Sequence, residues 1–305
     1  MPNVNSVLFP RYRRVCLPIW VSLTAMLTSV GMGASPLEEA RELYAERRYA
    51  EAEQAFAELE NQYPNSPEVL LYAGKLAVKR REWVTAIDFL ERAQQLQPDD
   101  AEISFQLGTT AGLYAGSLGK SLSALAQARR ASKAMLRAID LNPDNLSYRQ
   151  ALIEFSLNAP ALAGGGHKRA HDQADAIAQI DAAQGAFAHA GIHRAAGDHT
   201  AALLALDDLI AVAPNNYFAL FRFGRCAAES GERLSEGLTR LEKCLTLPAP
   251  ERAASHAEVW WNIATIQKHR NDRAAALSAL EQAVAMAPQH QQIAADLAGY
   301  RADNS

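Results

Sequence analysis

Five histidines fall close together in the chain, at His167, His171, His189, His193 and His199. His167 and His171 are four residues apart, and so are His189 and His193. On a helix this spacing puts both imidazoles of a pair on one face, where they can chelate a transition metal. No HExxH motif accompanies them, so no general-base glutamate stands beside such a metal. Read more simply, they are structural or surface histidines. No metal ligand is therefore assigned, and the expectation is at most weak metal binding in the His167–His199 region. GSLGKS, residues 116–121, ends like a phosphate-binding loop. That motif needs a glycine five residues before Gly119, where Tyr114 stands, and a strand ahead of it, so the segment reads as a turn between helices. Gly164, Gly165 and Gly166 precede a helix expected from Lys168, whose first amides could hold an anion. A plain flexible turn explains the same glycines. No nucleophile motif occurs, so no catalytic residue, enzyme activity or cofactor is expected.

The chain that must position these residues has 305 residues, half of them apolar and only 7% aromatic. Abundant alanine suits close helix packing and argues against a β-rich fold. The net charge of −4 gives no sign of a nucleic-acid binder. Cys16, Cys226 and Cys244 form no CxxC pair and no metal spacing. Cys226 and Cys244 read as separate small core residues, although a disulfide is conceivable in an oxidising compartment.

Arg11, Arg13 and Arg14 precede an uncharged, mostly apolar run that ends in Gly31, Gly33, Ala34 and Ser35. A basic start, an apolar middle and a small-residue end are the parts of a secretory signal peptide, so residues 1–34 are expected to be cut near Gly33 or Ala34. The alternative is an uncleaved anchor, because about 20 apolar residues just span a bilayer. Loss of residues 1–34 removes three arginines and no acid, and takes the net charge to −7. The expected location is periplasmic or secreted; an anchored form would sit on the inner membrane with its folded part outside the cytoplasm. Membrane contact is expected only for that form.

Residues 257–290 carry the pattern of the rest. Counted as one 34-residue unit, they place Trp260 at position 4, Ile263 at 7, Ala264 at 8, Ala276 at 20, Leu280 at 24, Ala283 at 27 and Pro288 at 32. Small residues at 8, 20 and 27 allow two helices to approach, larger ones fill the space between, and the proline ends the second helix. This resembles the tetratricopeptide repeat (TPR), a pair of antiparallel helices. The resemblance implies an all-α, right-handed superhelix of about seven helix pairs. Its single domain spans 35–305, with repeats at about 33–66, 67–100, 101–145, 146–182, 183–216, 217–256 and 257–290 and a polar capping helix over 291–301.

Two repeats depart from register. Repeat three holds 11 extra residues between Gly108 and Ala131. They read as a turn at Gly116 to Gly119 and a long helix from about Lys120 to Asp140, with Leu122, Leu125, Ser132, Met135 and Ile139 on its apolar face. Arg129, Lys133 and Arg137 stripe that helix, either as a solvated face or as a docking surface for an acidic partner or lipid headgroups. Repeat four replaces its turn with NAPALAGGGH, residues 158–167, a wide and flexible loop by composition. The long helix after GSLGKS, the DNLSYRQALIEFSLNAPALAGGGHKRA segment and the PAP loop before the last repeat resemble a group of exported bacterial TPR proteins. That resemblance brings no activity with it.

What the TPR family implies is protein–protein interaction and assembly, with a protein or peptide partner in the concave groove. Its geometry assigns to that groove Leu71, Lys75 and Lys79 of repeat two, Phe105 of repeat three, Phe187 and Arg194 of repeat five, Phe218, Phe221, Arg222 and Arg225 of repeat six, and Trp261 and Lys268 of repeat seven. An acidic chain thus lines its groove with cations and aromatics, a surface suited to an acidic and apolar segment. The asparagine–lysine clamp of chaperone-tail binders is not matched, because Gln106, Gln150 and Glu154 occupy its places. The reading is an exported, non-catalytic adaptor in envelope assembly or secretion, or alternatively a membrane-tethered scaffold.

Overall fold

A computed structural model describes residues 35–303. The expected signal segment, its arginines and Cys16 lie outside those residues. Within them the chain forms fifteen α-helices and no strand. They pair as α1 (Pro36–Ala45) with α2 (Tyr49–Gln62), α3 (Pro67–Lys79) with α4 (Trp83–Leu96), and α5 (Ala101–Ser117) with α6 (Leu122–Leu141). Then come α7 (Leu146–Asn158) with α8 (His167–Ile180), α9 (Ala182–Ala195) with α10 (His199–Val212), α11 (Tyr217–Ser230) with α12 (Leu234–Leu245), and α13 (His256–His269) with α14 (Arg273–Met286). The last helix, α15 (Gln291–Ala302), buries Ile293 and Leu297 against the final pair and closes the apolar end. The result is an all-α solenoid of seven helix pairs plus a cap. None of the described helices is long and apolar enough to cross a membrane.

Local sequence sets the helix ends. Ser35, Ser66, Asp100, Ser121, Asn145, Asp181, Asn216 and Ser255 each accept a hydrogen bond from an otherwise orphaned first-turn amide. Within a pair, the short turn passes through one left-handed residue at position 15 of the unit. Gly197 and Gly231 adopt it freely, while Arg47, Arg81 and Asn271 adopt it at φ near +60°.

Helices of a pair meet through the small residue at position 8. Ala40 lies with Phe56 in one buried cluster, and Ala264 with Leu280 in another stretch of core, all almost fully enclosed. Where position 8 is glycine the approach is tighter. A Cβ on Gly74 would come within 2.8 Å of Leu90 Cγ, and one on Gly108 within 2.8 Å of Met135 Cγ. On Gly224 it would come within 2.3 Å of Leu241 Cγ. Repeat four reverses the sizes: Ile153 packs with the small Ala170 and Ala174 of α8.

The insertion in repeat three is shared by both helices, not added to the second alone. α5 has 17 residues and α6 has 20, against 13 and 14 in α3 and α4. Gly116 is helical, and the turn begins at Leu118. Extending both helices keeps them paired along the added length, which a single longer helix would not do. The apolar face of α6 starts later than its spacing predicts, because Leu122 at the tip is 86% exposed.

The 158–167 segment is not the wide, flexible loop its glycines suggest. A short 3-10 turn, Ala161–Ala163, buries Ala163. Gly165 N donates to Pro160 O at 3.1 Å and Gly166 N to Ser156 O at 2.7 Å. Arg129 Nε of α6 donates to Leu162 O at 3.0 Å, and Arg169 Nη1 donates to Ser132 Oγ at 2.8 Å. The glycines are there for close approach: a Cβ on Gly165 would lie 1.9 Å from Ala159 O.

Cys226 and Cys244 are both free and buried. Burial pushes the Cys244 thiol up to about 12 and raises that of Cys226, so neither forms a thiolate near neutral pH. Two outcomes follow. Thiol labelling of the folded protein followed by mass spectrometry should leave Cys226 and Cys244 unmodified, with both reacting in denaturant; modification of either in the native state would contradict this packing. Gly224→Ala should cost about 1–3 kcal/mol by overpacking against Leu241. A chemical-denaturation double-mutant cycle with Leu241→Ala should then give a favourable coupling, because the smaller partner accepts the new methyl.

Candidate functional site

The first helices of successive pairs stand side by side, so their exposed positions form one surface. Structure divides the expected groove residues into three groups.

At the N-terminal end the cations are already engaged, Lys75 by an acid and Lys79 by an aromatic ring. Lys75 Nζ lies 2.9 Å from Glu102 Oε1 and 4.9 Å from the centre of the Tyr72 ring. Glu102 also accepts from Gln106 Nε2 at 2.9 Å and from Tyr148 Oη at 3.3 Å. Phe105 stacks on Tyr148 with ring centres 4.5 Å apart, and Lys79 sits over Tyr49 at 5.3 Å. Burial, then Glu102, pushes the Tyr148 phenol up to about 12. Leu71 is only 8% exposed and belongs to the core between α3, α4 and α5, not to the groove.

At the C-terminal end the cap takes the place of a partner. Trp261 Nε1 donates to Asp296 Oδ2 at 2.8 Å, and Lys268 Nζ lies 2.7 Å from Asp296 Oδ1 and 4.9 Å from the Tyr300 ring centre. Trp261 and Lys268 were expected to face a ligand; they hold α15 instead. One acid per end explains both corrections. Glu102 and Asp296 belong to the next unit along, so counting positions within one unit does not show that they oppose these cations.

Between the ends the groove is open and cationic. Arg194 of α9 and Arg225 of α11 share a single carboxylate, that of Glu229, and Arg222 of α11 stands beside them. Arg194 Nη1 is 3.3 Å from Glu229 Oε2, and Arg225 Nε is 3.5 Å from Oε1 in a geometry that makes no hydrogen bond, which leaves that buried nitrogen without an acceptor. Arg222 has no ion-pair partner among the described residues. Its guanidinium lies 4.3 Å from the centre of the Phe187 ring. Desolvation first, then Arg225 and Arg194, lowers the Arg222 pKa. Phe187 is 8% exposed, so it is a platform under Arg222 and not a contact surface of its own.

A cavity of about 330 Å³ opens beside these arginines, lined by Tyr217, Phe218, Phe221, Arg222, Arg225 and Arg252 among others. Phe218 is 36% exposed and Phe221 partly buried, with Arg225 5.9 Å from the Phe221 ring centre. Sequence reading missed two of these residues. Arg252 comes from the PAPERAAS loop, where it takes φ of +63°. Tyr217 donates its hydroxyl to Ala254 O at 2.8 Å and so holds that loop over the pocket. The His256 ring contacts Leu247 O at 2.9 Å and closes the loop base. Glu258 also lines the pocket, but its carboxylate is engaged by Ser255 N and Oγ in a capping box. The stripe on α6 is largely committed as well: Arg137 pairs with Asp99 at 2.6 Å and Arg129 holds the glycine segment, which leaves Lys133 exposed between them.

The five histidines assemble differently from their sequence pairs. His171 of α8 meets His189 and His193 of α9, while His167 and His199 lie outside this trio. Crowding lowers the His171 pKa, through burial first and then its two histidine neighbours.

A helical-repeat solenoid with a cationic and aromatic inner surface is the class these features define. Tetratricopeptide repeat models match residues 43–106 and 257–290. Among solved structures, a tetratricopeptide repeat protein from Parabacteroides merdae aligns over 87% of this chain and 97% of its own, at 13% identity and a TM-score of 0.54. The C-terminal part of a TPR repeat-containing protein from Cytophaga hutchinsonii aligns over 86% of this chain and 99% of its own, at 17% identity and a TM-score of 0.53. No curated protein matches the sequence significantly. Two stretches of the chain thus match the tetratricopeptide repeat, a module that generally binds protein or peptide partners, and the fold as a whole is similar to that of tetratricopeptide-repeat solenoids.

The Tyr217 bond gives a direct check on the pocket. Tyr217→Phe should cost about 1 kcal/mol and speed hydrogen exchange in residues 248–255. Burial pushes the Tyr217 phenol up to about 12, from an ordinary value near 10. The folded state therefore keeps the proton longer, so the associated stability is present below about pH 10 and lost between about pH 10 and 12. The phenylalanine variant should lose part of that alkaline dependence.

Proposed function

We propose that this protein is an exported, non-catalytic adaptor that holds an acidic segment of a protein partner in the middle of its groove. The observation that carries this reading is the charge imbalance: Arg194 and Arg225 share one carboxylate and Arg222 has none among the described residues, beside a pocket walled by Phe218 and Phe221. A cluster of guanidiniums held close together and partly desolvated is costly by itself. A carboxylate arriving from a partner relieves that cost and gains charge-assisted, paired hydrogen bonds from planar arginines. Neighbouring aromatics supply apolar area at low entropic cost. The favoured ligand is an extended or helical segment with one or two acids next to an apolar side chain.

Export rests on residues 1–34, whose basic, apolar and small-residue zones have the order of a signal peptide. On that basis we place the adaptor in the periplasm or outside the cell, serving envelope assembly or secretion. The mass of the protein's N-terminus, read from the envelope fraction, separates a cleaved form from one anchored by this segment.

Arg222→Glu is the decisive variant, because it breaks no ion pair within the solenoid. Pull-down from the native envelope fraction should retain a partner on the wild type and lose it on Arg222→Glu and on Phe218→Ala, with circular dichroism unchanged. Binding should weaken roughly tenfold or more for the charge reversal and should fall as salt rises. Equal retention by all three proteins would put the partner elsewhere on the solenoid.

A further inference from the structure

We infer that His171, His189 and His193 form a binding site for a divalent transition metal, zinc being the ion its geometry suits, which clips repeat four to repeat five. The site is independent of the proposed groove ligand.

Three nitrogens converge from two helices. His189 and His193 are one turn apart on α9, and His171 faces them from α8. The donor atoms of all three lie within 4.8 Å of one another, and His171 Nδ1 and His189 Nδ1 are 3.1 Å apart. A tetrahedral zinc with bonds of 2.0–2.1 Å needs neighbouring nitrogens about 3.3 Å apart. One pair is thus already close to the required separation, and the third donor, from His193, lies within 4.8 Å of both.

Orientation supports the same conclusion. His189 Nε2 lies 3.0 Å from Asp175 Oδ1. A carboxylate there accepts the Nε2 hydrogen and turns the bare Nδ1 toward His171, the arrangement that commonly supports a metal-bound histidine. His193 Nδ1 is 3.9 Å from Asp198 Oδ2, so a second acid adds negative charge nearby. Two facing Nδ1 atoms can coexist only with a hydrogen or a cation between them, because both lone pairs otherwise repel. His189 and His193 keep 25% and 29% of their side chains exposed, which gives a metal an entry path and a solvent-side fourth position.

The scaffold that brings them together is the tightest joint in the solenoid. Other connections to the next repeat run four residues or more, whereas a single residue, Asp181, separates α8 from α9. A Cβ on Gly185 would lie 2.4 Å from Ala178 Cβ and 2.5 Å from its Cα, so only glycine lets α9 come so near. Ligands on two such fixed helices need little ordering on binding. Imidazole donors suit zinc, copper and nickel, and three of them with an open position match zinc in its solvent-accessible sites.

Zinc chloride titrated into the untagged protein by calorimetry tests this directly. The expected result is one zinc per chain at micromolar or tighter affinity, with a rise in Tm that a chelator reverses. His171→Gln and His189→Gln should each weaken binding at least tenfold, and Asp175→Asn by roughly 10- to 100-fold with the stoichiometry kept. His167→Ala, one turn away on α8, should leave it unchanged. Should a histidine variant unfold, cobalt(II) added to the wild type still decides: a tetrahedral visible spectrum supports the trio, and its absence overturns it. No stoichiometric zinc on the wild type also overturns the site. So does binding that needs His167 and survives loss of His189, since that would be a surface pair on one helix.

Discussion

Everything in this solenoid depends on how near the two helices of a pair can come. In six of the seven units position 8 is the small contact that sets it, with Ala40, Gly74, Gly108, Ala190, Gly224 and Ala264 at that place. A large residue from the second helix covers it: Phe56, Leu90, Met135, Leu206, Leu241 and Leu280 are all buried. Close approach maximises the dispersion contacts each pair makes, and stacking of pairs then buries the face that no single pair could cover. It also fixes the spacing of the first helices, and therefore the spacing of the side chains presented to a ligand. The groove is a consequence of the core.

Charge, not shape, distinguishes the middle of the groove from its ends. The ends have acids in place, Glu102 and Asp296, that satisfy Lys75 and Lys268. In the middle, Glu229 serves Arg194 and Arg225, and Arg222 is left without an acid among the described residues. Exposed ion pairs add little stability, so an unequal distribution is cheap to maintain at a surface. Its effect is on recognition: Lys75 and Lys268 are already paired with acids, whereas Arg222 in the middle is not. The PAPERAAS loop adds Arg252 to the same region and walls one side of the pocket.

The fold was legible in the sequence because position-specific size and proline spacing carry it, and those survive in a single chain. The all-helical solenoid and the small residues at its helix contacts could be read from residue type. The details of the site could not. Leu71 and Phe187 occupy groove positions by count, yet neighbouring helices bury them. Trp261 and Lys268 look available until α15 is placed over them. The 158–167 segment has the composition of a mobile loop, but its glycines serve contact with Ala159 and Ser132. Pairs of histidines four apart were visible; the meeting of His171 with the other two was not, since it depends on a joint shortened to Asp181. The missing proline at position 32 of repeat four was the one local sign of that joint.

Asp181 has a mechanical meaning as well. Its backbone N–H bonds Ile177 O, its carbonyl accepts from Gly185 N, and its carboxylate caps α9 through Gln184 N. One residue therefore ends one helix and starts the next, leaving two backbone torsions where the longer connectors have many. Those connectors absorb twist. This one has two torsions in which to do so, both tied by hydrogen bonds, and the open, arginine-rich part of the groove begins immediately on its far side.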